Sequence, residues 1–496
     1  MEMTGARILI ECLIERGVDT IFGYPGGSIL VIYDELLAQS SRIRHILTAH
    51  EQGASHAADG YARASGRPGV VLATSGPGAT NLVTGIATAY MDSIPMIAIT
   101  GNVPVPLLGK DSFQEIDIVG ITMPITKHNF LVRDVADLAG VVRSAFEIAT
   151  SGRPGPVLID IPKDVIAASA EWEAEPKGER GKRPLLGPRP DPRLSAEDLD
   201  AVAAAIEAAE RPLFYAGGGV ITSEAGGRLR ELAERLHAPV SLSFMGHGAF
   251  PSKHPLCTGM IGMHGTKASN MAASRCDLLI AVGARFSDRV VSNAATFAKH
   301  AKIIQIDIDP AEVNKNVHSH LALVGDVGEA LDGLLVRVKA REASGWGTHI
   351  DDWKAERPTS HHRPTAMPPK LLLETIHARV GDDAIITTEV GQHQMWTAQF
   401  YPFARPRTFL SSGGHGTMGF GTGAAMGAQV AMPERQVIHI AGDGSFRMNL
   451  AELATIEHYR LPIVIILMNN GTLGMVRQWQ RMFFKGRISG TTLDRG

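Results

Sequence analysis

VIHIAGDGS (Val437 to Ser445) and, one helix-length later, IVIILMNN (Ile463 to Asn470) decide how this chain is read. Each begins as a continuous run of branched apolar residues, the pattern of a parallel strand buried on both faces. Gly442, Asp443, Gly444 and Ser445 close the first run and open a helix; Asn469, Asn470 and Gly471 close the second. If the two strands are neighbours, Asp443 and Asn470 stand side by side at their carboxyl ends, where open α/β sheets bind ligands. A carboxylate oxygen beside an amide oxygen is hard-donor chemistry suited to Mg2+, with positions left for a backbone carbonyl, a water and two phosphate oxygens. The helix opening at Ser445 offers N–H groups and a positive dipole end to a diphosphate. GDG by itself fits an ordinary turn with Asp as an N-cap; its pairing with NN is what makes the signal specific.

The same strand pattern recurs in GVVLAT, MIAIT, VLIDI, LLIAVG, IIQIDI and AIITTE. Between such runs, stretches like AEDLDAVAAAIEAAE and GGRLRELAERLHA read as amphipathic helices. This alternation predicts an α/β protein with parallel sheets. Glycine clusters (GYPGG, SGPG, GGG, SGGHG, GDGS) follow strand-like runs, where backbone turns into a helix or approaches a phosphate. Two stretches rich in Pro and charge read as linkers, from about Glu171 to Leu194 and from about Arg341 to Pro369. They divide the chain into blocks near 1–170, 190–340 and 368–496, each expected to be a doubly wound parallel-sheet domain. Blocks one and three echo each other. The segments from Arg67 and from Arg435 both run strand, Gly-x-Gly, Asn-Leu, helix, and Ser93 to Asn102 then matches Arg460 to Asn470. A shared fold accounts for the echo; chance likeness of two βαβ units is the alternative.

A length of 496 residues suits about three domains. With 48 basic and 51 acidic residues the net charge is −3, which gives no pull toward nucleic acid or an anionic membrane. The apolar run Leu461 to Met468 falls far short of the ~18 residues of a membrane span. The N-terminal stretch lacks the apolar core of a secretory leader. Three widely spaced cysteines (Cys12, Cys257, Cys276) suit reduced thiols and a cytoplasmic protein rather than a disulfide framework.

GDG followed by NN at this spacing resembles the signature of thiamine-diphosphate (ThDP) decarboxylases and carboligases. That resemblance implies Mg2+ on Asp443, Asn470 and the backbone carbonyl of Thr472. It also makes blocks one and three the pyrimidine-binding and diphosphate-binding domains, with Gly442, Gly444 and Ser445 at the cofactor. Block one must then supply a carboxylate to the aminopyrimidine ring, and Glu51 in LTAHEQGASHAADGYARASG is the candidate. The cofactor acts as the electron sink while the protein tunes it.

The likeness narrows to the catalytic subunit of acetohydroxyacid synthase (acetolactate synthase). GYPGGSIL, DSFQE, TKHN, GMHGT, ARFSDRV, GQHQMW, SGGHGTMGFG and GMVRQWQ carry it, and it spans essentially the whole chain. It implies that Tyr24, Pro25, Gly26 and Gly27 form a cofactor loop, and that Gly391, Gln392 and His393 lie on the diphosphate side. Met418 is the apolar wedge under the bent cofactor, Gly416 accepts from the aminopyrimidine, and Met475 lies beside them. Phe113 and Gln114 line the pocket, Lys127 the access channel, and Val476 and Trp479 the wall toward the acceptor substrate. Arg289 receives the acceptor's carboxylate, although from the residues alone it fits a pair with Asp288 or the surface equally well. A core position for Trp479 is likewise open. For block two the resemblance implies FAD, without a redox role, on Gly217, Gly218, Gly219, His264, Gly265, Thr266, Arg285 and Asp307.

The implied reaction joins pyruvate, after loss of CO2, to a second pyruvate or to 2-ketobutyrate, in branched-chain amino-acid synthesis. The implied assembly is a homodimer or larger, with a small regulatory subunit as a further partner. Rival readings are another ThDP-dependent 2-ketoacid decarboxylase or oxidase, and a catalytically dead truncated paralogue. Several positions depart from the family: Ser28, Val31, Ser287, His415, Thr422 and Gly423. Family members also continue for several tens of residues past GRISGTTLDRG, so the third domain is expected to be incomplete.

Overall fold

A computed structural model describes residues 1–175, 194–356 and 367–493. The first linker-like stretch lies mostly outside these residues, as does the later half of the second. The earlier half of the second holds a helix, Gly345–Ala355, which corrects the linker reading. Ser344 caps it by accepting from the Trp346 N–H, and buried Trp346 and Ile350 anchor it. Its Ser-Gly-Trp-Gly opening is what hides the helical period.

Three sheets carry the chain, beside a small antiparallel pair of Glu2–Thr4 with Ser169–Glu171. The first sheet has the order Arg44–Leu47, Thr20–Tyr24, Gly69–Ala73, Met96–Asn102, Pro156–Pro162, His128–Leu131, all parallel. The second runs Cys257–Met260, Val240–Leu242, Pro212–Ala216, Leu278–Val282, Lys302–Asp307, Leu321–Val324, again all parallel. In the third, Ile385–Thr388, Val437–Gly442 and Val464–Met468 are consecutive parallel neighbours, with Phe409–Leu410 beyond the first of them. The echo between blocks one and three is a structural repeat. Gly69–Ala73 and Met96–Asn102 are parallel neighbours in one block, as Val437–Gly442 and Val464–Met468 are in the other.

The described residues fall into two compact units. One takes Met1–Arg189, Ile385–Gly391 and Leu410–Gly496; the other takes Pro190–Ala384 and Gln392–Phe409. The third sequence block is therefore divided, because the segment after Gly391 packs with the middle sheet. Tyr401 packs at a tilt on Phe403 and Phe403 on Phe409, both Phe rings meet His247, and Gln399 Nε2 donates to the His264 carbonyl at 2.7 Å. Aromatic burial outweighs sequence proximity there.

Within the first unit, the helix Glu51–Ser65 lies against the helix Phe420–Ala431. Small residues permit the close crossing: a Cβ on Gly60 would strike the Ala424 carbonyl, and one on Gly427 the carbonyl of Ala57. Gly423 packs on His56 in the same seam, which gives this departure from the family pattern a physical reason. Met426 and Val430 then join Phe22, Ala57, Val71 and Leu82 in one core.

Candidate active site

Strand register builds the proposed metal corner. Gly442 pairs with Met468, so the residues that follow each strand, Asp443 and Asn469 with Asn470, leave the sheet together. Asp443 is buried and its Oδ2 accepts from the Gly471 N–H at 3.0 Å. Asn470 Oδ1 accepts from the Thr472 N–H at 3.0 Å, and Gly471 turns between them at φ 64°. One short turn thus collects a carboxylate, an amide oxygen and the backbone of Thr472. That all-oxygen set fits Mg2+. Among the described residues, no cluster of three or more His, Cys, Asp or Glu offers a competing metal site. The helix opened by GDGS is only Asp443–Phe446 and passes into a 3-10 stretch, Arg447–Glu452. It contributes individual N–H groups at Gly444 and Ser445 rather than the full dipole expected from the sequence. The Ser445 hydroxyl is turned inward, donating to Glu389 Oε2 at 2.5 Å.

Glu51 begins the helix Glu51–Ser65, with His50 as its cap accepting from the Gln52 N–H. Its side chain is 9 % exposed, and Oε2 accepts from Asn81 Nδ2 at 2.9 Å. Asn81 belongs to SGPGATN, so that loop fixes the carboxylate. A Cβ on Gly78 would sit against Glu51 Oε1 and Thr74, which explains the glycine. The GYPGG loop joins the same group: Gly26 packs on Thr74, and Ser28 Oγ lies 2.9 Å from Thr74 Oγ1 and accepts from the Ser75 N–H. Ser28, another departure, serves as a tie between the two loops. Tyr24, Pro25 and Gly27 remain exposed on that loop.

The segment Ser411–Thr422 is gripped along its length. Arg63 Nη1 donates to the Ser411 carbonyl, and Asp92 accepts from the N–H groups of Gly413 and Gly414. Ser412 Oγ accepts from the Thr417 N–H, and Asn449 Nδ2 donates to the Gly419 carbonyl at 2.6 Å. Gly416 and Met418 are thereby held half-buried, Gly416 at φ 61°. Sequence reading missed Asn81, Asp92, Asn449 and Glu389, all polar residues buried or half-buried next to glycine-rich turns. A charged side chain ending the apolar run AIITTE was the available signal for Glu389.

Phe113 is 88 % exposed, a large aromatic with no core role, and Gln114 follows in left-handed backbone at φ 60°. Glu115 closes this turn by accepting from the N–H groups of Lys110 and Ser112, which with that of Gly109 hold its carboxyl below the usual range. Lys127 departs from the channel role: its ammonium donates to the carbonyls of Ile148 and Ser151, capping the helix Leu138–Thr150. Unsatisfied carbonyls at a helix end are strong competitors for a nearby cation. Val476 and Trp479 lie on the helix Gly474–Phe483 with Met475, and none of its residues is buried. Trp479 stacks on Phe483 and is not a core residue among the described ones.

In the second unit the proposed flavin residues gather at the carboxyl ends of their strands. Gly217 and Gly219 follow Pro212–Ala216, Arg285 follows Leu278–Val282, and Asp307 ends Lys302–Asp307. His264, Gly265 and Thr266 follow Cys257–Met260. The glycines permit a close crossing: a Cβ on Gly217 would meet the Gly283 carbonyl, and one on Gly219 the Gly283 Cα. Gly218, by contrast, leaves ordinary clearance to Met245. Asp307 is buried and accepts from the Asp309 N–H, and Thr266 caps the helix Lys267–Arg275. Glycine turns with an acid at another strand end of the same sheet edge, one strand away, suit a dinucleotide. Arg289 stands 3.7 Å from Asp288 on an exposed short helix, a weak pair. Its carbonyl accepts from the Met263 N–H, next to His264, whose pKa is lowered first by burial and then by Arg289. Buried His393 heads the helix Gln392–Phe400 of this unit, its carbonyl accepting from Thr397 Oγ1.

Comparison with known proteins completes the picture. Residues 3–121 match the family described as thiamine pyrophosphate enzyme, N-terminal TPP binding domain; residues 199–334 match its central domain, and 389–495 its C-terminal TPP binding domain. The acetolactate synthase large subunit of Parasynechococcus marenigrum is 51 % identical over all of this chain and 80 % of its own length. The probable acetolactate synthase large subunit of Methanocaldococcus jannaschii is 49 % identical over 98 % of this chain and 83 % of its own. The acetolactate synthase of Mycobacterium leprae is 48 % identical over 99 % and 79 % respectively. The chain belongs to the acetolactate synthase large-subunit family. For an acetolactate synthase-type chain, the family match covers both strand-end loops, SGPGATN in the N-terminal domain and GDGS in the C-terminal one. No described helix is long and apolar enough to cross a membrane, and Cys12, Cys257 and Cys276 are buried and unbridged.

Proposed function

We propose that this chain is a ThDP- and Mg2+-dependent acetolactate synthase that decarboxylates pyruvate and joins the two-carbon unit to pyruvate or 2-ketobutyrate. The observation that carries the reading is the register of Gly442 with Met468, which sets Asp443 beside Asn470. When bound, ThDP supplies an electron sink that makes carbon–carbon cleavage and formation accessible. Asp443, Asn470 and the Thr472 carbonyl would hold the cation, and the N–H groups of Gly444 and Ser445, with Gly391, would meet the diphosphate, while Gln392 and His393 open the next helix. Glu51, oriented by Asn81, holds a proton at the aminopyrimidine ring nitrogen. Gly416 would accept from the exocyclic amine, Met418 would support the cofactor through an apolar contact, and Tyr24, Pro25, Gly26, Gly27 and Met475 would complete its binding site.

Arg289 takes the carboxylate of the acceptor, a task for which the planar guanidinium is well suited. Phe113, Gln114, Val476 and Trp479 shape the apolar part of the pocket. The strand ends of the second sheet would hold FAD as a structural group. A homodimer, in which Glu51 of one subunit serves the cofactor of the other, is the minimal assembly, and a small regulatory subunit is a further partner. The protein works in the cytoplasm. Incubation with pyruvate, ThDP, Mg2+ and FAD tests the reading: acetolactate is expected, and acetaldehyde as the sole product would identify a decarboxylase instead.

A further inference from the structure

Glu389 ends the strand Ile385–Thr388 and is fully buried, in the same unit as the GDGS turn. A buried carboxylate without partners is costly, so its neighbours define its task. Oε2 accepts from Ser445 Oγ at 2.5 Å and from the Gly419 N–H at 2.9 Å. Oε1 accepts from the Thr422 N–H at 3.1 Å and from Thr422 Oγ1 at 3.3 Å. His439 Nε2 lies 3.7 Å from Oε1, beyond hydrogen-bond range, with its Nδ1 3.0 Å from Thr387 Oγ1. Ser445 Oγ in turn accepts from the N–H groups of Gly419 and Val390. Burial pushes the carboxyl up, but the His439 ring and these donors outweigh it and bring its pKa down to about 2. Thr422, a departure from the family pattern, supplies two of the four donors.

Resting on the ThDP reading above, we propose that Glu389 is a positioning residue that clamps the GDGS turn and the Gly416–Thr422 loop into one fixed geometry for the cofactor. Its fully buried carboxylate acts through these two segments. One carboxylate spans the two segments because Oε2 holds Ser445 of the turn together with Gly419 of the loop, while Oε1 holds Thr422 of the same loop. Glutamine in its place retains the shape but must aim an NH2 group at donors on one side. The clamp then opens at one end.

The test compares wild type, Glu389→Gln, Ser445→Ala and Ile97→Ala. Ile97 is buried in the core of the first sheet and touches neither loop, so its truncation controls for stability loss alone. Hydrogen exchange on the cofactor-free chain comes first. Glu389→Gln and Ser445→Ala are expected to raise exchange at least tenfold in peptides covering 416–422 and 443–447, leaving those of the first sheet unchanged. ThDP affinity in the presence of Mg2+, by calorimetry, is expected to fall at least tenfold in Glu389→Gln and less than twofold in Ile97→Ala. If Glu389→Gln does not fold, Ser445→Ala removes the clamp's hold on the GDGS turn and decides the matter by both readouts. Wild-type exchange in both loops, or an affinity loss matched by Ile97→Ala, overturns the proposal. Loosened loops in a chain whose wild type fails to bind ThDP would instead support the clamp and refute the function it rests on.

Discussion

Asp160→Asn should make the protein more stable in mild alkali and less stable in acid. Asp160 lies in the central part of the first sheet, 2 % exposed, with Oδ1 accepting from Thr100 Oγ1 at 2.7 Å and Oδ2 from Asn102 Nδ2 at 2.6 Å. Burial raises its pKa from 3.8 to about 7, only partly offset by those two donors. A carboxyl raised on folding stabilises fully below its unfolded value, and that contribution is lost as pH rises through the folded value. At ~1.36 kcal/mol per unit, the charged form costs ~4 kcal/mol at pH 8 and under ~1 kcal/mol near pH 4.5. Asparagine carries no such cost, but with its oxygen toward Asn102 Nδ2 its NH2 faces Thr100 Oγ1, whose own O–H then loses its acceptor. One donor left unpaired costs ~1–3 kcal/mol at any pH. The variant is therefore expected to gain ~1–3 kcal/mol at pH 8 and to lose up to ~2 kcal/mol at pH 4.5, crossing over between them. Thermal melts of both proteins across this range would show the crossing. A difference of the same sign and size at both ends would refute the account of Asp160 as a carboxyl neutralised by burial.

Asp443→Ala should abolish ThDP binding, because the diphosphate needs the cation to offset its charge; unchanged affinity by calorimetry would remove Asp443 from the metal corner. Glu51→Gln keeps the Asn81 contact and should retain cofactor affinity while slowing acetolactate formation by ~10²–10⁴-fold, the usual weight of a positioned acid–base group. Wild-type single-turnover rates would exclude that role. Trp479→Leu should leave acetolactate formation largely intact but collapse the preference for 2-ketobutyrate over pyruvate by ~10–200-fold, since one methylene is worth ~1–3 kcal/mol. Arg289→Gln should weaken both acceptors alike, because they share a carboxylate. Product ratios from mixed substrates check both, and an active Trp479→Leu protein with an unaltered ratio would dismiss the wall.

Strand identity was legible because parallel buried strands advertise themselves as unbroken apolar runs. VIHIAG, IVIILM and MIAIT all lie where their composition placed them. The corner of Asp443 and Asn470 was legible because it depends only on two strand ends being neighbours. What escaped were features fixed by contacts distant in sequence. Lys127 was drawn to a helix end that a local motif cannot display. The segment after Gly391 followed aromatic partners near residue 247 rather than its own block. Glu389 looked like an ordinary residue beside a glycine turn until two other segments converged on it. The helix opened by GDGS is short, because Asn449 interrupts the stretch that follows with non-helical dihedrals, at φ −125° and ψ 32°.

The glycine-notched crossing of Glu51–Ser65 with Phe420–Ala431 has a consequence for synthesis on the ribosome. The two helices are separated by roughly 350 residues, which at ~5–20 residues per second is on the order of 20–70 s of translation. Through that interval the nascent first sheet carries a helix whose Ala- and Gly-rich face has no Met426 or Val430 against it. An N-terminal fragment released early would expose that seam to other chains. Nascent-chain chaperones should accordingly hold this protein until translation has passed Ala431, and a stall placed just before Phe420 should leave it captured.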